Sequence, residues 1–353
     1  MEYYVNPWIA GTERVFPMQG RAEYLRLDMN ENPEGLPEEI VEEIRGKITP
    51  EFLSTYPEPD RFLRKYADFI GTDIECVAAT NGSDMAIRYL LETFGEPGKD
   101  VVTVTPSFEM YRINCSLLGL HHVPVSYEED LTVDVSKICD AIGEDTRIVV
   151  LLNPNNPVGN VFSDAEFDAI LEKTKAAGAV LIVDEAYHYF CEKTFLPRAL
   201  EEENVLVLRT FSKLFSLAAV RLGVVIGHPK LIHFLKNGKL TFDVNSVALL
   251  AGETVLSHPE LVDELRKKEA AGKAWALQAL QKAGYETRDC AGNFFFVRPR
   301  CDAHSIAKAL ETEKKVLVHP FSNPLLQDLI RVTAGSESVM KRFVEAFLEL
   351  DRE

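Results

Sequence analysis

The chain has 353 residues, 46% of them apolar and 26% charged. That is ordinary globular composition; it excludes a disordered or fibrous protein and allows two domains, or one large domain with an appendage. With 38 Lys and Arg against 55 Asp and Glu, the formal net charge is −17, a field that repels polyanions, so no nucleic-acid partner is expected. A pocket for one small phosphate needs only one or two Arg or Lys and stays open. The cysteines Cys76, Cys115, Cys139, Cys191, Cys290 and Cys301 form no C-x-x-C pair and no zinc-finger spacing, so reduced, mostly buried thiols and no metal are expected. Residues 1–20 lack the basic and apolar regions of a secretion signal. No apolar run reaches the roughly 20 residues of a membrane helix. A soluble, cytoplasmic protein without a membrane partner is expected.

In chain order, residues 1–30 read as an irregular N-terminal arm punctuated by Pro7, Gly11, Pro17 and Gly20, and residues 28–33 as an Asn-rich turn ending at Pro33. From residue 75 onward, short apolar runs at 76–79, 101–104, 148–152, 180–183, 205–208 and 222–226 each end in polar, Gly or Pro residues. Runs apolar on both faces suit buried parallel strands, and helical patterns such as 165–177 alternate with them. The expectation for 31–240 is an α/β domain with a mostly parallel central sheet flanked by helices. Residues 241–353 read as a smaller α+β domain: a helix over 261–283, strands at 293–298 and 315–318, and a last helix over 338–350.

In open α/β sheets ligands bind beyond the carboxyl ends of the strands, and five of the six runs carry unusual polar residues there. Gly82, Ser83 and Asp84 open a helix whose free N–H groups favour an anion. Ser212 and Lys213 follow a strand directly, where desolvation frees a Lys amine for Schiff-base chemistry. Arg221, with Ser83 and Ser212, can take a phosphate. Asp184 ends another run and needs a cationic partner there. Tyr187 and Asn156 bring a phenol and an amide, and Phe108 a flat ring. Singly, each reads equally as a cap, a turn residue or core. Together they describe pyridoxal 5′-phosphate: the ring on Phe108, its nitrogen paired with Asp184, its phenolic oxygen held by Asn156 and Tyr187, its phosphate at Gly82, Ser83, Ser212 and Arg221, and its aldehyde on Lys213.

These segments closely resemble the class I/II, fold type I pyridoxal-phosphate-dependent aminotransferases, and most closely the histidinol-phosphate aminotransferase branch. The resemblance covers nearly the whole chain. It rests on residues 27–33 (LDMNENP), 155–159 (NNPVG), 184–187 (DEAY), Ser212-Lys213 with Arg221, and 330–333 (IRVT). It implies a homodimer with active sites at the subunit interface, Tyr56 of the 55–57 segment reaching the partner's cofactor phosphate, Arg331 clamping a substrate carboxylate, and Asn30 near the substrate. One departure stands out: where the branch carries a phosphate-binding Arg, this chain has His319, a weaker and pH-dependent phosphate ligand.

The implied activity is transfer of an amino group from an amino acid or amino-acid-like donor, with or without a phosphate, to a 2-oxo acid, with Lys213 as general base and then general acid. The same scaffold serves a decarboxylase or lyase; residues near Phe16, Asn30, His188 and His319 would decide which bond breaks. A non-catalytic cofactor-binding regulator is a third reading, opposed by the charge and by the lack of room for a DNA-binding segment. A dinucleotide-binding protein lacks its G-x-G-x-x-G.

Overall fold

The structure, a computed structural model, describes residues 3–12 and 19–352. Phe16 and Pro17 lie outside the described residues. The strands are β1 (Leu25–Arg26), β2 (Val77–Thr80), β3 (Asp100–Thr105), β4 (His121–Ser126), β5 (Thr146–Leu152), β6 (Val180–Asp184), β7 (Val205–Thr210), β8 (Gly223–Gly227), β9 (Thr287–Asp289), β10 (Phe294–Val297), β11 (Val316–Leu317), β12 (His319–Pro320) and β13 (Ile330–Thr333).

A seven-stranded sheet runs in the order β2-β8-β7-β6-β5-β3-β4. Its pairs from β7 to β4 are parallel, and β8 is antiparallel to both of its neighbours. All six expected apolar runs fall in this sheet. Side-chain alternation sorts each run between two layers: Leu181, Val183, Val205 and Val207 face one core cluster, while Ile182, Leu206 and Leu208 face the other. Both faces are covered, which is why these strands are apolar throughout. Strand β4 had no apolar signal, because its HHVPVS sequence lies at the sheet edge, where Pro124 removes no needed ladder bond.

Helices Gly82–Phe94, Met110–Leu118 and Asp164–Ala176 connect these strands. The last begins with a capping box between Ser163 and Glu166, which satisfies otherwise orphaned N–H groups.

The smaller unit has an antiparallel sheet, β12-β13-β10-β9, and a parallel pair, β1-β11, under helices Ala303–Lys314 and Glu337–Leu350. Its core holds Phe295, Val297, Val332, Phe343 and Phe347 together with Leu25 and Leu27. The packing therefore differs from the expected division at two places. Residues 25–27 are not only an arm: their backbone pairs with Val316–Leu317 and their apolar side chains fill the small core. Helix Ser246–Leu256, expected in the small unit, buries Ala248, Leu249, Ala251 and Val255 in the large core beside Phe62 and Leu222. Helix Pro259–Lys282 crosses between the two, with Leu261 and Leu265 in the large core and Ala276 and Leu280 in the small one.

All six cysteines are free; Cys76, Cys115 and Cys290 are buried, Cys139 and Cys191 half-buried and Cys301 exposed. Among the described residues no helix is long and apolar enough to cross a membrane.

Candidate active site

Strand β6 ends on Asp184, and β7 runs into the turn that carries Lys213, so adjacent parallel strands deliver an acid and an amine to one end of the sheet. Asp184 is 4% exposed. Its Oδ2 accepts from the Tyr111 hydroxyl at 2.9 Å and its Oδ1 from the Ala186 N–H at 3.1 Å. Burial pushes the carboxyl up to about 6, against those hydrogen bonds. The Lys213 ammonium donates to the Met29 carbonyl at 2.8 Å and lies 5.8 Å from the Tyr187 ring centre. Desolvation, and then the nearby Arg331 and Arg221 guanidinium groups, push the amine down to about 8, opposed by Glu31 and Asp84.

The Lys213 turn is fixed by its apolar neighbours. Phe211 stacks on Phe215 at 4.6 Å, and Leu214 and Leu217 are buried. Behind it, Arg209 grips Glu185 through Nε at 3.0 Å and Nη2 at 2.8 Å. Glu185 also accepts from the Phe195 N–H at 2.6 Å and from the Thr194 hydroxyl.

Tyr187 packs edge-on to Phe294 at 5.4 Å and accepts from Asn30 Nδ2 at 2.9 Å. Asn30 has a left-handed backbone, φ 57°, which the small unit holds: its N–H donates to Thr333 Oγ1 at 2.9 Å, and its carbonyl accepts from Asn293 Nδ2 at 3.1 Å. Arg331 is buried on β13. Its Nη1 donates to Asn156 Oδ1 at 2.5 Å, its Nη2 donates to the Asp28 carbonyl, and its Nε has no partner.

Gly82 and Gly223 form a cradle that side chains would fill. A Cβ on Gly82 would lie 2.5 Å from Arg221 Nη2, and one on Gly223 would lie 2.8 Å from the Ser83 nitrogen. Arg221, itself at φ 60°, reaches the Ala218 carbonyl at 3.1 Å, Ser212 Oγ at 3.4 Å and Asp84 Oδ2 at 3.0 Å. A helix N-terminus, a guanidinium and a hydroxyl thus converge around Gly82, a donor set suited to an anion.

Seven of the sequence-predicted residues are joined to one another, in three sets. Hydrogen bonds join Asn30 to Tyr187, Asn156 to Arg331, and Arg221 to Ser212 and Asp84. Phe108 is half-buried three residues before Tyr111, packed against the same core cluster as Ile182, Leu206 and Leu208. His319, an exposed residue, lies opposite Arg331 in the β12–β13 ladder; desolvation of its ring, then Arg331 and His304, lower its imidazole to about 4. Tyr56 stands apart from all of these, 73% exposed and stacked on Phe242 at 4.6 Å.

Sequence reasoning missed Tyr111, Thr333, Asn293 and the Met29 carbonyl. Tyr111 was findable, because it lies only three residues after Phe108, just inside the helix Met110–Leu118. The others reach the site only through tertiary contacts.

Residues 22–347 match the family described as aminotransferase class I and II. The chain is 34% identical to histidinol-phosphate aminotransferase 2 of Nitrosococcus oceani, covering 92% of this chain and 91% of the relative. It is 33% identical to the histidinol-phosphate aminotransferase of Symbiobacterium thermophilum, covering 97% and 95%. Among solved structures, the histidinol-phosphate aminotransferase of Sinorhizobium meliloti in complex with pyridoxal-5′-phosphate superposes with a TM-score of 0.90 at 21% identity, covering 100% of this chain and 98% of that one. A Thermus thermophilus aspartate aminotransferase single mutant gives 0.83 at 19% identity, covering 99% and 100%. These two share the fold.

The residues here fit such a cofactor. Asp184 is a buried carboxyl with no cation hydrogen-bonded to it among the described residues, Lys213 is a desolvated amine, and the Gly82–Gly223 cradle admits no side chain. Asn81 Oδ1, adjoining the cradle in sequence, is buried without a partner. The expected fold and family therefore hold: the chain belongs to the class I and II aminotransferases.

Proposed function

We propose that the protein is a pyridoxal 5′-phosphate-dependent aminotransferase, like the histidinol-phosphate aminotransferases, moving an amino group from an amino acid or amino-acid-like donor to a 2-oxo acid. The observation that carries this is the placing of the Lys213 amine just beyond β7, at the same end of the sheet as the buried carboxyl of Asp184 that ends the adjacent parallel strand β6. The bound cofactor supplies an aldehyde for that amine and a protonated ring that takes up electrons from the substrate's α-carbon.

The chain's own groups do the rest. Lys213 Nζ has the proton affinity to accept the α-proton near neutral pH and hand it back. Asp184 would hold the ring nitrogen's proton. Tyr187 and Asn156 would meet the phenolic oxygen, and Phe108 the ring face. Gly82, Ser83, Ser212 and Arg221 would hold the phosphate, with Asp84 orienting Arg221. Arg331 would bind the carboxylate of each substrate, its fork already oriented by Asn156 and the Asp28 carbonyl. His319, beside Arg331, is a weaker and pH-dependent ligand, so a phosphate on the donor gains less here than from an Arg.

The exposed apolar side chains Leu53, Tyr56, Leu240 and Phe242 support a homodimer in which Tyr56 reaches the partner's site. A cytoplasmic location accords with the free cysteines. The test is a two-substrate assay over amino donors with and without phosphate. Ping-pong transfer to a 2-oxo acid supports the proposal; release of CO₂ without transfer overturns it.

A further inference from the structure

Five non-glycine residues among those described have a positive φ: Asn30, Leu131, Ser216, Arg221 and Lys315. Asn30 and Arg221 bring their side chains to the crevice, and Ser216, at φ 57°, lies three residues after Lys213. A side chain in this region is strained and stays there only where the surroundings hold it.

The backbone of Ser216 decides how Lys213 is presented. The Ser216 N–H donates to the Lys213 carbonyl at 3.0 Å, and the Leu217 N–H, just past the left-handed residue, returns to the Phe211 carbonyl at 3.0 Å. These two bonds close residues 211–217 into a loop that has Lys213 within it. An ordinary extended φ at Ser216 would carry the Leu217 N–H away from the Phe211 carbonyl and open that loop.

The hold on Ser216 comes from the start of the chain. Asn32, 8% exposed, donates from Nδ2 to Ser216 Oγ at 2.7 Å and to the Gly35 carbonyl at 3.3 Å. Asn32 Oδ1 accepts from the Glu34 N–H at 3.0 Å, which fixes the end of the amide that faces Ser216. The Ser216 hydroxyl directs its own proton to the Leu214 carbonyl at 3.3 Å, so its oxygen is free to accept from Asn32. Three residues before Asn32, the Met29 carbonyl accepts from Lys213 Nζ at 2.8 Å. The short segment 29–32 thus meets the loop twice, at the amine and at the left-handed residue. We infer that Asn32 and Ser216 are positioning residues, whose hydrogen bond holds the left-handed backbone of Ser216 and so keeps Lys213 aimed along the Met29 carbonyl into the crevice. The inference rests on the proposed function only for what Lys213 reacts with; the hold on the loop stands apart from it.

The test uses the full chain stripped of cofactor, as wild type, Asn32→Ala, Ser216→Ala, the double variant and Ser216→Gly. Hydrogen-exchange protection of the Leu217 amide reads the loop, and stopped-flow capture of pyridoxal 5′-phosphate reads the amine. Asn32→Ala and Ser216→Ala should each lower the protection and slow capture by roughly fivefold to tenfold, the loss expected for one hydrogen bond. The double variant should be no slower than the slower single one, because both changes remove the same link. Glycine takes a left-handed backbone at little cost, so Ser216→Gly should recover most of the protection and of the capture rate that Ser216→Ala loses. A contact that served stability alone would lower Tm and leave the capture rate of the folded protein untouched. Capture by Asn32→Ala at the wild-type rate, losses that add in the double variant, or a Ser216→Gly protein as slow as Ser216→Ala overturns the inference. If the protection follows the expected order but neither wild type nor any variant takes up the cofactor, the proposed function is overturned and the Asn32–Ser216 hold on the loop stands.

Discussion

Asn30 hands its side-chain amide to the Tyr187 hydroxyl across 2.9 Å, joining a residue near the chain's beginning, held by the small unit, to the crevice of the large sheet. Neutral hydrogen bonds of this kind contribute about 1 kcal/mol net. Asn30→Ala should therefore lower kcat/KM by roughly tenfold or less. Tyr187→Phe removes the same contact from the other side. Steady-state kinetics of the two single variants and the double variant should show a double loss smaller than the sum.

Lys213 carries the covalent chemistry, so Lys213→Ala should abolish the absorbance band formed with the cofactor. The wild-type amine reacts as its free base, and that fraction rises as pH rises through about 8. Stopped-flow capture of the cofactor by the stripped protein should accelerate to that pH and then level off. A rate that keeps climbing past about pH 10, where an ordinary Lys titrates, would contradict the desolvated site.

Asp184 works against stability. Its folded carboxyl titrates at about 6, above the roughly 3.9 of an unfolded Asp. Between those values the folded chain binds more protons than the unfolded one, so stability falls as pH rises across that window. Above it the cost is fully present, about 2–3 kcal/mol. Asp184→Asn should raise the Tm of the cofactor-free protein at neutral pH, keep that gain at higher pH and lose it below about pH 4. Its transaminase activity should drop at every pH.

Arg331 should be the main determinant of carboxylate binding. Arg331→Ala should raise KM for carboxylate substrates by an amount equivalent to about 2–3 kcal/mol. Arg331→Lys should recover only part of it, because a point charge cannot serve both the substrate and Asn156. Equal losses for a carboxylate substrate and its amide would assign Arg331 to folding instead.

The Arg209–Glu185 pair is fully enclosed, so breaking it strands a charge. Glu185→Gln should cost about 3–5 kcal/mol in chemical denaturation. Replacing both partners with apolar residues should cost less than either single change.

Much of this was legible in the sequence because parallel strands buried on both faces are long apolar runs, and what interrupts them stands out. Asp184, Lys213 and Asn156 were found in that way. His121–Ser126 was not, because an edge strand escapes the demand for apolarity. Asn293, Thr333 and Glu269 were invisible for a different reason: nothing local distinguishes an Asn or Glu in the small unit from a solvated one, and only the approach of the two cores buries them. Helix Ser246–Leu256 was assigned to the wrong side because sequence order says nothing about which core an apolar helix joins.

The pairing of Leu25–Arg26 with Val316–Leu317 ties the start of the chain to nearly its end. During synthesis the ribosome releases the first of these strands long before its neighbour exists. Until then Leu25 and Leu27 lack the strand they pair beside and the later half of their core, and Asn30 lacks Thr333 to accept from its N–H. The crevice therefore cannot be completed before residues 316–333 have been made, and a nascent chain stalled before residue 316 carries the reactive lysine without the Thr333 contact that helps to orient its surroundings.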